Sequence, residues 1–176
     1  MIGYSDADWG SDLDECKSTS GYVFLLNNGT ITWSSKKQSC IALSTMEAEY
    51  VACSVAVQEA ILLRRFFQNL EVVKDASNLV TVHYDSMAAL AYAKDSKYHG
   101  RNKHIDIRYH YIRDMVTHNE VVLKHISTSF MIANPLTKPI GKDDFQAHVR
   151  SLGNMMICCF SYHLLYSFGI FCFKYI

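Results

Sequence analysis

Tyr22-Val23-Phe24-Leu25-Leu26, then Asn27-Asn28-Gly29, then Thr30-Ile31-Thr32-Trp33 reads as two β-prone runs around a tight turn. Asn-Gly between such runs is a hairpin signal, because both turn positions need positive φ. Upstream, Met1 to Tyr4 reads as a short strand that leads straight into Ser5-Asp6-Ala7-Asp8-Trp9. The first strand then starts at the first methionine, with little margin before it. The expectation is a piece cut from something longer.

Downstream the period changes from two to that of a helix. Ser44 and Glu47 form an S-x-x-E capping box, followed by Ala48, Val51, Ala52, Val55, Ala56, Leu62, Leu63 and Phe66 on one broad face. A long amphipathic helix ending near Leu70 is predicted. Leu79 to Tyr84 reads as a strand, and Asp85-Ser86 caps an alanine-rich helix running to about Lys94. A second amphipathic helix spans about Lys103 to Thr117, with Ile105, Tyr109, Ile112 and Val116 on one stripe. Glu120 to Ile126 is a further strand. A less regular helical stretch carries Asn134-Pro135, stops at Pro139 and resumes from Asp143 to Leu152, before Gly153. Alternation of these elements predicts an α/β fold, a mixed five-stranded sheet flanked by helices.

The chain has 176 residues, enough for one domain and its core, with 49% hydrophobic content. Seventeen Lys plus Arg balance seventeen Asp plus Glu, so a wholesale basic coat is excluded and any nucleic-acid site must be a local patch. Two prolines, eight glycines and 12% aromatics exclude a linker or low-complexity tract. Six cysteines without a C-x-x-C pair, and no secretory segment at the amino end, predict reduced thiols in an intracellular protein. Composition shifts sharply near the end. From Met155 to Phe173 only Ser161, His163, Ser167 and Gly169 interrupt an apolar and aromatic run. The domain is therefore assigned to residues 1–153 and an apolar tail to 154–176, long enough at its limit for membrane association but equally readable as an accreted segment.

Two carboxylates, Asp6 and Asp85, fall at expected strand ends, where open sheets place ligand sites. A third comes from the start of the long helix. Glu47 and Glu49 lie about 200° apart on a helical wheel, so both cannot face one site. Glu47 has a local role in the capping box, which leaves Glu49; both flank the apolar face, and the wheel alone does not choose. Three converging carboxylates need a cation, and a hard divalent ion such as Mg²⁺ suits oxygen ligands. The plainer reading makes Asp6 and Asp85 turn or cap residues.

The segments Y-S-D-A-D-W at 4–9, K-S-T-S-G-Y-V-F at 17–24, W-S-S-K-K-Q at 33–38, S-T-M-E-A-E-Y at 44–50, K-H-I-D-I-R-Y-H at 103–110 and A-N-P-L-T-K-P at 133–139 stand in this order. In order and spacing they resemble the ribonuclease H domain of copia-type LTR retrotransposon Pol polyproteins, from residue 3 to about 153. The resemblance implies a ribonuclease H-like fold and endonuclease-type hydrolysis of the RNA strand of RNA/DNA hybrids during reverse transcription. It further implies Mg²⁺, or Mn²⁺ in its place, held by Asp6, Glu49 and Asp85, and it favours Glu49 over Glu47 through the run Ala48-Glu49-Tyr50. The implied partners are the hybrid and the reverse transcriptase portion of a parent polyprotein; the implied location is cytoplasmic, in a retroelement particle. Asp8 is a lesser candidate ligand, aligned with Asp6 only if the strand continues.

One position departs from the family pattern. Where the A-D-P-L-T-K motif carries a fourth catalytic carboxylate, this chain has Asn134, whose amide oxygen can ligate a hard cation without adding charge. Weakened occupancy of one metal and reduced activity are expected, and a catalytically impaired relic that binds nucleic acid or a partner is the alternative. Asn134 could instead cap the turn at Pro135.

For the hybrid, residues 94–113 hold Lys94, Lys97, Arg101, Lys103, Arg108 and Arg113 against Asp95 and Asp106, with His99, His104 and His110 as further donors. Lys103, His104 and Arg108 are the candidate phosphate contacts, and Ser18, Thr19 and Ser20 the candidate contacts to the sugar edge. A solvated charged helix face is the plainer alternative. His99 and His104 do not make a zinc site, because no cysteine pair completes a tetrahedral set. No glycine-rich phosphate loop or nucleophile signature appears.

Overall fold

The computed structural model describes residues 1–70, 79–87, 91 and 103–151. The alanine-rich helix expected after Asp85-Ser86, the basic residues Lys94, Lys97 and Arg101 with His99, and the tail 154–176 fall mainly or wholly outside them.

Strands β1 (Ile2–Asp12), β2 (Lys17–Leu26) and β3 (Gly29–Lys37) form an antiparallel meander. Strands β4 (Val80–Tyr84) and β5 (Val121–His125) extend it in parallel, giving the order β3-β2-β1-β4-β5. Three helices accompany the sheet among the described residues: α1 (Thr45–Asn69), α2 (Lys103–Thr117) and α3 (Lys142–Ser151). Two short 3₁₀ turns, Thr128–Phe130 and Asn134–Leu136, lie between β5 and α3. The expected mixed five-stranded α/β fold is what forms.

The hairpin turn sits one residue earlier than Asn-Gly predicts. Asn27 and Asn28 take φ of 50° and 62°, while Gly29 already pairs with Leu26. Asparagine tolerates the left-handed region, so two of them suffice for the turn. Strand β1 is also longer than expected, because pairing with β2 continues past Trp9. A register shift between Asp8 and Asp12 accommodates Gly10, which has φ of 63° and donates its N–H to Ser18 Oγ at 3.1 Å. Glycine takes that φ without strain, which suits it to a bulge.

Helix α1 starts at the predicted Ser44 cap, but the Glu47 carboxylate takes the N–H one residue before Ser44, not that of Ser44 itself as a capping box requires. Ser44 Oγ accepts the Glu47 N–H at 3.2 Å, and Glu47 Oε2 accepts the Leu43 N–H at 2.7 Å. Its buried face differs from the expected one toward the far end, where Leu62 and Phe66 are about half exposed. Burial instead follows Ala48, Ala52, Ala56 and Ala60, spaced four apart, with Tyr50, Cys53, Val57 and Ile61 beside them. A ridge of methyl groups lets the helix lie close to the sheet, while the larger neighbours fill the space against Val23, Val80, Val82 and Val121. Ile112 carries α2 into the same core.

Candidate metal centre

Parallel pairing between β1 and β4 runs only from Ile2↔Thr81 to Tyr4↔His83. Two residues further along both strands stand Asp6 and Asp85, so the register sets them level. Asp6 therefore does not end its strand, as the sequence suggests; it lies inside β1, at the point where the neighbouring strand gives out. Glu49 arrives from the first turns of α1, whose start is fixed by the Ser44 cap. One carboxylate oxygen from each of Asp6, Glu49 and Asp85 lies within 4.8 Å of the others. Asp8 shares a strand face with Asp6 but is no member of this cluster.

Asp6 is fully buried, and burial raises its pKa, opposed by Thr137 and Lys138. Burial pushes Glu49 further, to about 9, with the charges of Asp6 and Asp85 adding to the rise and a backbone hydrogen bond from Ala7 working against it. Glu49 Oε2 is buried without a hydrogen-bond partner. An orphaned carboxylate oxygen among two further carboxylates is a hard, anionic oxygen donor set, which fits a divalent cation such as Mg²⁺.

The turn 134–138 closes over this cluster. Thr137 donates its hydroxyl hydrogen to Asp6 Oδ2, and Lys138 Nζ lies 3.2 Å from Asp6 Oδ1. Burial works against the Lys138 charge, but Asp6, then Glu49 and Asp85, hold its ammonium above the ordinary lysine range. Gly21, directly across from Asp6 in the β1–β2 register, admits the turn: a Cβ there would lie 2.8 Å from Leu136 Cβ and Thr137 Cγ2. Asn134 donates Nδ2–H to the Thr128 carbonyl at 3.1 Å, and its Oδ1 is buried without a partner. The Thr128 hydroxyl donates in turn to Asp85 Oδ2 at 2.8 Å. Thr128, Thr137 and Lys138 are residues that sequence reasoning misses, although the last two stand in the motif at 133–139. Their contacts to the aspartates join distant parts of the chain, and no local period signals them.

The other candidate residues lie elsewhere. Ser18 is buried and accepts from Gly10, Ser20 accepts from Gln38 Nε2 at 2.8 Å, and Thr19 shares a hydrogen bond with Ser11 at 2.9 Å. Arg108 donates to the buried Ser54 hydroxyl at 3.0 Å, so one of its five N–H donors ties α2 to α1. Lys103 and His104 begin α2, and their side chains lie outside the described set. Among the described residues no helix is long and apolar enough to cross a membrane.

The sheet order and its flanking helices define a ribonuclease H fold. LC11-RNase H1, solved in complex with an RNA/DNA hybrid, matches with a TM-score of 0.54 at 20% identity, over 77% of this chain and 92% of that one. In sequence, the chain is 44% identical over 146 residues to the retrovirus-related Pol polyprotein from transposon TNT 1-94 of Nicotiana tabacum, covering 83% of this chain and 11% of that protein. It is 35% identical over 153 residues to the Pol polyprotein from transposon RE2 of Arabidopsis thaliana, covering 87% and 10% respectively. No family model matches the chain. The chain is thus similar in sequence to retrovirus-related transposon Pol polyproteins and similar in fold to ribonuclease H, and it spans about a tenth of the length of these two relatives.

Proposed function

We propose that this domain hydrolyses the RNA strand of RNA/DNA hybrids, with Mg²⁺, or Mn²⁺ in its place, held by Asp6, Glu49 and Asp85. The observation that carries the reading is the convergence of three carboxylate oxygens within 4.8 Å on a ribonuclease H fold, one of them from the half-buried Glu49, whose Oε2 is buried without a partner. A divalent ion held there would act as a Lewis acid toward a phosphodiester oxygen and would lower the pKa of a bound water. Asp6 anchors the site from within the sheet, fixed by Thr137 and Lys138. Asp85 is oriented by the Thr128 hydroxyl. Ser18, Thr19 and Ser20 are the proposed contacts to the sugar edge, and Lys103, His104 and Arg108 the proposed contacts to the phosphates. The parent polyprotein's reverse transcriptase portion is the proposed source of the hybrid.

The test is Mg²⁺-dependent cleavage of a labelled RNA/DNA hybrid by the full chain, beside Asp85→Asn and Asn134→Asp. Cleavage that Asp85→Asn abolishes without unfolding supports the reading, and equal cleavage by Asp85→Asn overturns the site. Asn134 favours a second reading, an impaired relic that binds nucleic acid without cutting it. Silence in the native chain with activity in Asn134→Asp identifies that state.

A further inference from the structure

We infer that Lys138 is a built-in cation of the carboxylate site, a positioning residue that offsets Asp6 and limits the site to one divalent ion. This rests on the proposed function insofar as Asp6, Glu49 and Asp85 hold a divalent cation at all.

The geometry gives Lys138 a defined place. Its ammonium lies 3.2 Å from Oδ1 of a fully buried aspartate, while the adjacent Thr137 hydroxyl takes Oδ2. Both side chains project from one turn whose backbone is closed by Thr137 N–H and Lys138 N–H donating to the Asn134 carbonyl at 3.1 Å and 3.0 Å. Leu136 and Thr137 pack where Gly21 has no side chain, so the turn is seated against the sheet. Among the described residues this is the one ion pair made to any of the three carboxylates.

Charge then sets the stoichiometry. Fully ionised, Asp6, Glu49 and Asp85 carry three negative charges; Lys138 offsets one, and the remaining two match one divalent ion. Asn134 brings a buried amide oxygen to the same turn but no charge. A second divalent ion would leave the protein groups and ions together with an excess of two positive charges in a partly buried site, an unfavourable state without further anions. Asn134→Asp supplies one more negative charge and reduces that excess.

The experiment is calorimetric titration of Mg²⁺ into the full chain without nucleic acid, repeated with Mn²⁺ and electron paramagnetic resonance of the free ion. The native chain should bind one ion, and Asn134→Asp two. Lys138→Met should bind its ion at least about tenfold more tightly, since a like charge beside the ion is gone, whereas Lys138→Arg should keep native stoichiometry. Two ions on the native chain would overturn the inference and leave the proposed function standing. Unchanged affinity in folded Lys138→Met, checked by circular dichroism, would do the same. If Lys138→Met does not fold, the native and Asn134→Asp stoichiometries decide. No ion bound to any variant would remove both the inference and the proposed metal centre.

Discussion

Gly21 faces Asp6 across the β1–β2 ladder, and the space above its bare Cα is taken by Leu136 and Thr137. The glycine is thus part of how a turn far along the chain reaches the aspartate. Gly21→Ala places a methyl carbon 2.8 Å from two side-chain carbons of that turn. It should destabilise the fold by about 1–3 kcal/mol, the usual range for overpacking, and loosen ion binding. Urea denaturation together with Mg²⁺ titration checks both; native values in each would remove Gly21 from the site.

The carboxylate cluster predicts a pH dependence of stability in the absence of divalent ions. Glu49 is raised from 4.5 to about 9 in the folded chain, chiefly by burial. Between those values the folded chain keeps a proton that the unfolded chain releases, so stability should fall as pH rises through this window. Glu49→Gln should remove most of that fall and leave the metal-free protein more stable at its alkaline end. Denaturation in EDTA across the window measures the slope, and an identical slope in both proteins would contradict the assignment.

Ser44 holds the start of α1, and Glu49 is five positions on. Ser44→Ala should cost about 1 kcal/mol of stability. It should also weaken ion binding, because the first turns of the helix position Glu49. Thermal melting and ion titration on the same sample separate the two effects; a stability loss with unaltered ion affinity would show that Glu49 is held independently of the cap.

Arg108 ties α2 to Ser54 in α1. Arg108→Ala should lower stability by about 1–3 kcal/mol, the range for losing a charged hydrogen bond with a buried partner. Phosphate contact would appear separately, as a reduced dependence of hybrid affinity on salt. Salt titration of hybrid binding by Arg108→Ala and Lys103→Ala measures that contribution; an unchanged slope in Lys103→Ala removes Lys103 from the proposed interface.

The parts of this fold that are legible in the sequence are those set by neighbouring residues. Ser44 and Glu47 mark the start of α1 because capping acts over one turn, and the alternation around Asn27-Asn28-Gly29 marks a hairpin because the turn is local. The phase of that turn is not legible, since asparagine tolerates positive φ and Asn27 adopts it here. The far end of α1 misleads for another reason. Leu62 and Phe66 fit a helical stripe by spacing, but the buried face follows the alanines that approach the sheet. For the site, Asp6 and Asp85 stand out as carboxylates following β-prone runs, although β1 in fact continues past Asp6. Lys138 does not stand out, because its importance comes from meeting Asp6 at a separation of 132 residues.

That separation also orders events during synthesis. The ribosome delivers Asp6 among the first residues of this segment and Lys138 132 residues later. The β1–β2–β3 meander is local enough to pair early, whereas contacts between remote segments carry a larger loop-closure penalty. A nascent chain halted before Asn134 would therefore contain all three clustered carboxylates but neither Thr137 nor Lys138 to receive Asp6. The strands can be made in advance; the electrostatic finish of the site waits for the late-emerging turn.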